Sequence, residues 1–255
     1  GYAADQAAHW LSPGGNLAGL RLLDFGCGDG ITDLGLVLRH GAGRLLGVDL
    51  NRPFDHLPKL ASENLGLEAL PPQLEFIQIE PGQALAGRFE VDAILSWSVF
   101  EHVDRAMLPG ILADLHALLP AGGRFFLQIE PLYHSPHGSH LAAFLPEPWA
   151  HLLMSAEEVE RRVQDTTLDD LVNVDRDLAF TLSTFEDFKN FVLGEFRSLN
   201  GITADELLDL ARAAGFTIER EERGRLEEPD IPAELARYDE DLLRTNEIKA
   251  LLRRG

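Results

Sequence analysis

The sequence predicts a doubly wound α/β domain, a parallel sheet covered by helices on both faces. Three observations point there. Short apolar strand patterns alternate with helical ones through the first half of the chain, as successive βαβ units require. A glycine loop opened by an acid, Asp24-Phe25-Gly26-Cys27-Gly28-Asp29-Gly30, joins the first strand pattern to the first helical one. Two further acids, Asp49 and Glu80, close the next two strand patterns.

In chain order, residues 21–25 form the first expected strand. The turn after it needs glycine, which reaches positive φ and lets a ligand approach bare backbone. Free N–H groups in the first turn of the helix expected over 31–40 face the same space. Strands follow at about 44–49, 74–80, 91–96 and 123–130, with helical patterns near 54–66 and 104–119. Beyond a long interruption, Thr203-x-x-Glu206 reads as a capping box for a helix through Ala214 that Gly215 ends. Phe216 then opens another strand, and residues 246–253 carry a helical periodicity. In a doubly wound sheet, ligands sit beyond the carboxyl ends of the strands at the switch point. Gly26 to Gly30, Asp49, Glu80 and Ser96 to Ser98 all fall there.

With 255 residues, one domain spanning 1–255 fits best: a core over about 20–131 and 201–255, and an insertion over about 132–200. The formal charge of −20 repels polyanions, and Arg161-Arg162 and Arg253-Arg254 are isolated pairs beside acids. Neither nucleic acid nor an anionic membrane is therefore an expected partner, and a small-molecule substrate is. The single cysteine, Cys27, excludes an internal disulfide framework and reads as a packing residue. The sequence shows neither a charged-then-apolar leader nor a membrane-length apolar run, so the expected location is cytoplasmic. The chain starts at Gly1, and a homo-oligomer or a place in a longer protein stays open.

The glycine spacing separates candidate ligands. A dinucleotide fingerprint puts its third glycine three residues after the second, where this chain has Ile31. Asp24-x-Gly26-x-Gly28-x-Gly30 instead resembles the first motif of class I S-adenosylmethionine-dependent methyltransferases, including bacterial small-molecule and glycan types. The rest of the half agrees in order: Gly47-Val48-Asp49-Leu50, Glu80, Glu90 to Ser96, Glu101-His102-Val103, and Leu118-Leu119-Pro120-Ala121-Gly122-Gly123, with Ala121 where the family usually has Gly. The resemblance is strong over about 20–131, weak over 203–255, and does not extend to 132–200. It implies a Rossmann-like sheet whose last strand, over 246–253, is antiparallel. It also implies S-adenosylmethionine as cofactor. Asp24, Gly26, Gly28 and Gly30 would take the methionine and ribose side, Asp49 the ribose hydroxyls and Glu80 the adenine. Cys27, Leu50, Ser96 and Trp97 are expected around the same ligand, Trp97 as a pocket wall or a packing aromatic.

The insertion is rich in rings, prolines and imidazoles, and such segments are commonly lids or binding loops. Helices are expected near 155–165 and 184–198. Few residues precede the first strand, so this insertion is the expected lid over the substrate, with Tyr133, His134 and Trp149 as candidate contacts. Gly138-Ser139-His140-Leu141 and Pro148-Trp149-Ala150-His151-Leu152-Leu153 are similar to stretches in bacterial methyltransferases of glycan or secondary metabolites. His102 is the candidate base, with His137 and His140 as alternatives, because a hydroxyl nucleophile must lose its proton during attack. His134, His137 and His140 stand three apart, but Pro136 and Gly138 argue against one helical face, and no metal is expected. The expected activity is methyl transfer to a small-molecule hydroxyl of a sugar or secondary metabolite. N- or C-methylation, a nucleotide-dependent oxidoreductase and a noncatalytic cofactor-binding module of a larger protein are the alternatives.

Overall fold

The computed structural model describes residues 1–171 and 184–255. Its strands are β1 (Arg21–Phe25), β2 (Arg44–Asp49), β3 (Leu74–Gln78), β4 (Ala93–Trp97), β5 (Arg124–Ile129), β6 (Phe216–Arg225) and β7 (Thr245–Arg254). They form one seven-stranded sheet in the order β3-β2-β1-β4-β5-β7-β6. Pairings from β3 to β5 are parallel, and β7 runs antiparallel to both β5 and β6. The C-terminal segment is thus strand, as the resemblance implied, and its helical periodicity is overridden. Between Phe125 and Phe216, residues Ile248, Ala250 and Leu252 bury on one face, so tertiary pairing decides the conformation.

The helices are α1 (Tyr2–Leu11), α2 (Ile31–His40), α3 (Leu57–Leu65), α4 (Leu108–Leu118), α5 (Ala150–Leu153), α6 (Ala156–Asp165), α7 (Phe185–Ser198), α8 (Ala204–Ala213) and α9 (Glu240–Arg244). Successive strand residues point to opposite faces. Leu23, Ile94 and Phe125 accordingly join the core with α4 and α8, whereas Leu22, Leu95 and Phe126 join the one with α1 and α2. Each such buried apolar side chain contributes about 1.5–3 kcal/mol relative to exposure. Thr203 and Glu206 form the reciprocal cap of α8, and Gly215, at φ +102°, follows it.

Helix α1 was not expected. It buries Ala4, Ala7, Ala8 and Leu11, a helical stripe made of small residues, and Ala4 packs against the bare backbone of Gly35, where an added Cβ would lie 3.0 Å away. Within the insertion, Leu141, Phe144, Leu145, Val159, Val163 and Leu193 close a core of their own. Residues 172–183 of the expected lid lie outside the described residues. Among the described residues no helix is long and apolar enough to cross a membrane.

Candidate active site

A cleft of about 1250 Å³ opens at the carboxyl ends of β1, β2 and β4. Ligand pockets commonly measure roughly 300–1,000 Å³, and this cleft is larger. Its walls include Asp24, Gly26, Cys27, Gly28, Asp49, Leu50, Glu80 and Trp97 at one end and His102 and Glu195 at the other.

The first end is built by backbone. The N–H groups of Gly26 and Cys27 donate to the Val48 carbonyl at 2.8 and 3.1 Å, tying the loop to β2. Asp49 accepts from the Gly28 N–H at 3.0 Å and from the Asn51 N–H at 2.9 Å, which holds its carboxylate at the cleft wall. Two glycines of the loop differ in what surrounds them. A Cβ on Gly26, at φ +84°, would lie 2.2 Å from Val99 Cγ2. Gly28, at φ +55°, has nothing within 4 Å of where its Cβ would be, and that bare face belongs to the cleft.

Beneath the loop, Asp24 and Asp33 are both buried. Oδ1 of Asp24 and both oxygens of Asp33 lack any other hydrogen-bond partner. Burial pushes both carboxyls above the ordinary carboxylate range, Asp33 further through the neighbouring Asp24. Asp33 went unnoticed in the sequence because it sits in the first turn of α2, where an acid is an ordinary helix-dipole partner. The Cys27 thiol is pushed up by burial and by the neighbouring Asp33 and Asp24, which keeps it an unreactive packing group.

The other end is built by side chains. Asn200 Nδ2 donates to the carbonyls of Phe100 and Val103, both at 2.7 Å, and its N–H donates to the Glu101 carbonyl at 2.8 Å. That clamp fixes the turn carrying Glu101 and His102. The Ser198 hydroxyl donates to the Glu195 carbonyl at 2.7 Å, so its oxygen accepts from Nδ1–H of His102, also at 2.7 Å. Nε2 of His102 therefore carries the lone pair; it stands 3.6 Å from Glu195 Oε2. His140 packs edge-on against His102 at 5.3 Å between ring centroids. Its Nε2–H donates to the Pro131 carbonyl at 3.3 Å, leaving Nδ1 bare. Burial holds both imidazoles below their ordinary 6.5, so both are neutral at pH 7. Glu101 is 2% exposed, and burial pushes it up to about 8.

Several expected site residues lie elsewhere. Ser96 is buried and donates to the Phe25 carbonyl at 2.8 Å, stitching β4 to β1 rather than facing the cleft. Gly30 is packed over by Phe76 and Leu57 and shapes the loop without lining the cleft. Trp149, expected against substrate, is fully buried with Leu235 and Leu243, and its indole donates to the His134 carbonyl at 3.1 Å. Tyr133 and His134 pack against His151 and Tyr238 outside the cleft, and His137 and His140 are off its walls too, His140 lying against His102. The ring-rich stretch packs upon itself because its aromatic surface is better buried than wetted. Conversely, Glu195, Ser198 and Asn200 were missed; they belong to a helical pattern or its end and become site residues only through α7 docking on the 100–102 turn.

Sequence and structure comparisons identify the family and the fold. A family model described as a methyltransferase domain matches residues 2–221. No curated protein matches the sequence. Similar folds include an S-adenosylmethionine-dependent methyltransferase from Mesorhizobium loti, with 19% identity and a TM-score of 0.53, covering 99% of this chain and 98% of that one. A magnesium protoporphyrin IX methyltransferase from Synechocystis PCC 6803 with bound SAH has 13% identity and a TM-score of 0.55, covering 100% and 82%. A geranyl diphosphate methyltransferase in complex with GPP and sinefungin has 14% identity and a TM-score of 0.56, covering 100% and 77%.

Proposed function

Because the chain belongs to the class I S-adenosylmethionine-dependent methyltransferases, we propose that it methylates a hydroxyl of a small molecule, a sugar or secondary metabolite. The observation that carries this reading is the continuity of one cleft from the acid and glycine loop to an unprotonated imidazole. The residues fit the cofactor: Gly28 offers a bare face, Asp49 a fixed carboxylate, and Asp24 an incompletely partnered buried oxygen. Bound there, S-adenosylmethionine supplies a methyl group already activated on a sulfonium.

The chain's own work is then positioning and proton removal. Asp49 would hold ribose hydroxyls, Asp24 the methionine side, and Glu80, exposed at the cleft rim, the adenine. Alignment of reacting groups supplies several kcal/mol of the barrier, on the order of 7–11 in the best intramolecular models. His102 Nε2 accepts the acceptor's proton as the carbon–oxygen bond forms, a contribution of roughly 10²–10⁴-fold for a weakly acidic hydroxyl. The insertion, which supplies His140 and Glu195, sets acceptor choice. The glycine spacing and the family together displace the oxidoreductase alternative.

The test is incubation with methyl-labelled S-adenosylmethionine and a panel of hydroxylated small molecules, sugars first, beside their amino counterparts. Label in a hydroxyl compound is the expected result. Label in amines alone would move the acceptor atom to nitrogen, and cofactor binding without transfer to any compound would favour a noncatalytic module.

A further inference from the structure

At the acceptor end the charges do not close. Glu101 is buried, and neither of its carboxylate oxygens has a hydrogen-bond partner. An uncompensated buried carboxylate is strongly unfavourable, so either a proton or a cation must accompany it. The groups around it select between these. One ligand atom each from Glu101, His102 and His140 lies within 4.8 Å of the other two. Glu195 adds a carboxylate oxygen 3.6 Å from His102 Nε2.

The hydrogen bonds orient this set for ligation. Ser198 holds Nδ1–H of His102 and the Pro131 carbonyl holds Nε2–H of His140. On each ring the opposite nitrogen is bare, and this is how outer-shell partners prepare imidazoles for a metal. Bonds of about 2.0–2.2 Å to a tetrahedral ion would draw the three groups together by roughly 1 Å. Two imidazoles and carboxylate oxygens favour a borderline divalent transition ion over magnesium, which prefers oxygen and water.

We propose that Glu101, His102 and His140 bind a zinc-class divalent cation behind His102 at the acceptor end of the cleft, with Glu195 beside the open fourth position. The site stands on its own ligands, but its role rests on the hydroxyl-methylation reading. There the ion would bind the acceptor oxygen and lower its pKa. The proton would pass to Glu195 or water, since His102 Nε2 would then be occupied. The ion would also tie the insertion, through His140 and α7, to the turn after β4.

The probes are Co²⁺ and Zn²⁺ added to the chelator-treated full chain, read by the visible bands of bound Co²⁺ and by thermal unfolding. One equivalent of Co²⁺ is expected to bind, Zn²⁺ to displace it, and both to raise Tm. Glu101→Gln and His140→Gln are each expected to weaken Co²⁺ binding at least about tenfold, and Ser198→Ala about tenfold through loss of its hold on His102. S-adenosylmethionine affinity is expected to hold in all three. Absence of Co²⁺ binding to the wild-type chain, or binding unchanged in Glu101→Gln and His140→Gln, overturns the site. If the chelator-treated chain transfers methyl groups at full rate and His102→Gln does not, the cation is wrong and the hydroxyl reading survives. If Co²⁺ binds as described but no hydroxyl compound is labelled, the site stands and the hydroxyl reading fails.

Discussion

Gly28 and Asp49, which meet at the proposed cofactor end of the cleft, are 21 positions apart, whereas His102 and Ser198 at the proposed acceptor end are 96 apart. The first contact is backbone to side chain and follows from one strand–loop–helix unit beside its neighbour. The second is side chain to side chain and exists only once α7 has docked on the turn after β4. The cofactor end is therefore a local property of the sheet, and the acceptor end a product of how the insertion packs. Substitutions should separate the two: binding should fail at one end, and turnover or stability at the other.

Trp149→Ala has the largest expected effect, a loss of about 3–5 kcal/mol of stability for a fully buried aromatic. Cofactor affinity of the fraction still folded should be unchanged. Denaturant unfolding beside calorimetric titration checks both, and a stable variant with altered acceptor preference would restore Trp149 to the substrate site. Next comes His102→Gln, expected to lower turnover about 100-fold while leaving cofactor binding intact. Asp49→Ala reverses that pattern. Losing a charged hydrogen-bond partner should weaken S-adenosylmethionine by about 1.5–3 kcal/mol, with turnover at saturating cofactor largely kept. Unchanged affinity in a folded Asp49→Ala protein would remove Asp49 from the site.

The smallest effect concerns pH. Asp24 and Asp33 are raised above their ordinary 3.8 in the folded chain, so between that value and the raised ones the native state binds more protons than the unfolded state. Stability from this pair is present at low pH and declines as pH rises. Below about 6.5 the buried histidines, lowered in the fold, oppose the trend, because there the unfolded state binds the extra protons. Asp33→Asn should flatten the decline contributed by the pair, measured as chemical unfolding across pH. An identical slope in the variant would show that the fold does not raise this pair.

The sheet was legible because buried parallel strands leave apolar runs and their acids fall at strand ends; Arg21–Phe25, Arg44–Asp49 and Ile31–His40 lie where the patterns put them. Helix α1 was not, since its buried stripe is mostly alanine, and alanine signals helix without signalling a face. Strand β7 was legible only by resemblance, its Ile248, Leu251 and Leu252 spacing suiting a helix until β5 and β6 flank it. In the site, Asp24, Gly26, Gly28 and Asp49 carry a motif. Glu195, Ser198 and Asn200 carry none, because their roles arise from a helix packing against a distant turn. The rings of Tyr133, His134 and Trp149 misled for the opposite reason: aromatic and imidazole groups mark a binding loop and a small hydrophobic core equally well.

The most direct test of a two-ended methyltransferase cleft is to measure, on one preparation of His102→Gln, both labelled-methyl transfer to the hydroxyl acceptor and the Kd for S-adenosylmethionine. Transfer reduced about 100-fold with Kd equal to wild type is the predicted result. Undiminished transfer, or a Kd weakened as far as in Asp49→Ala, would contradict it.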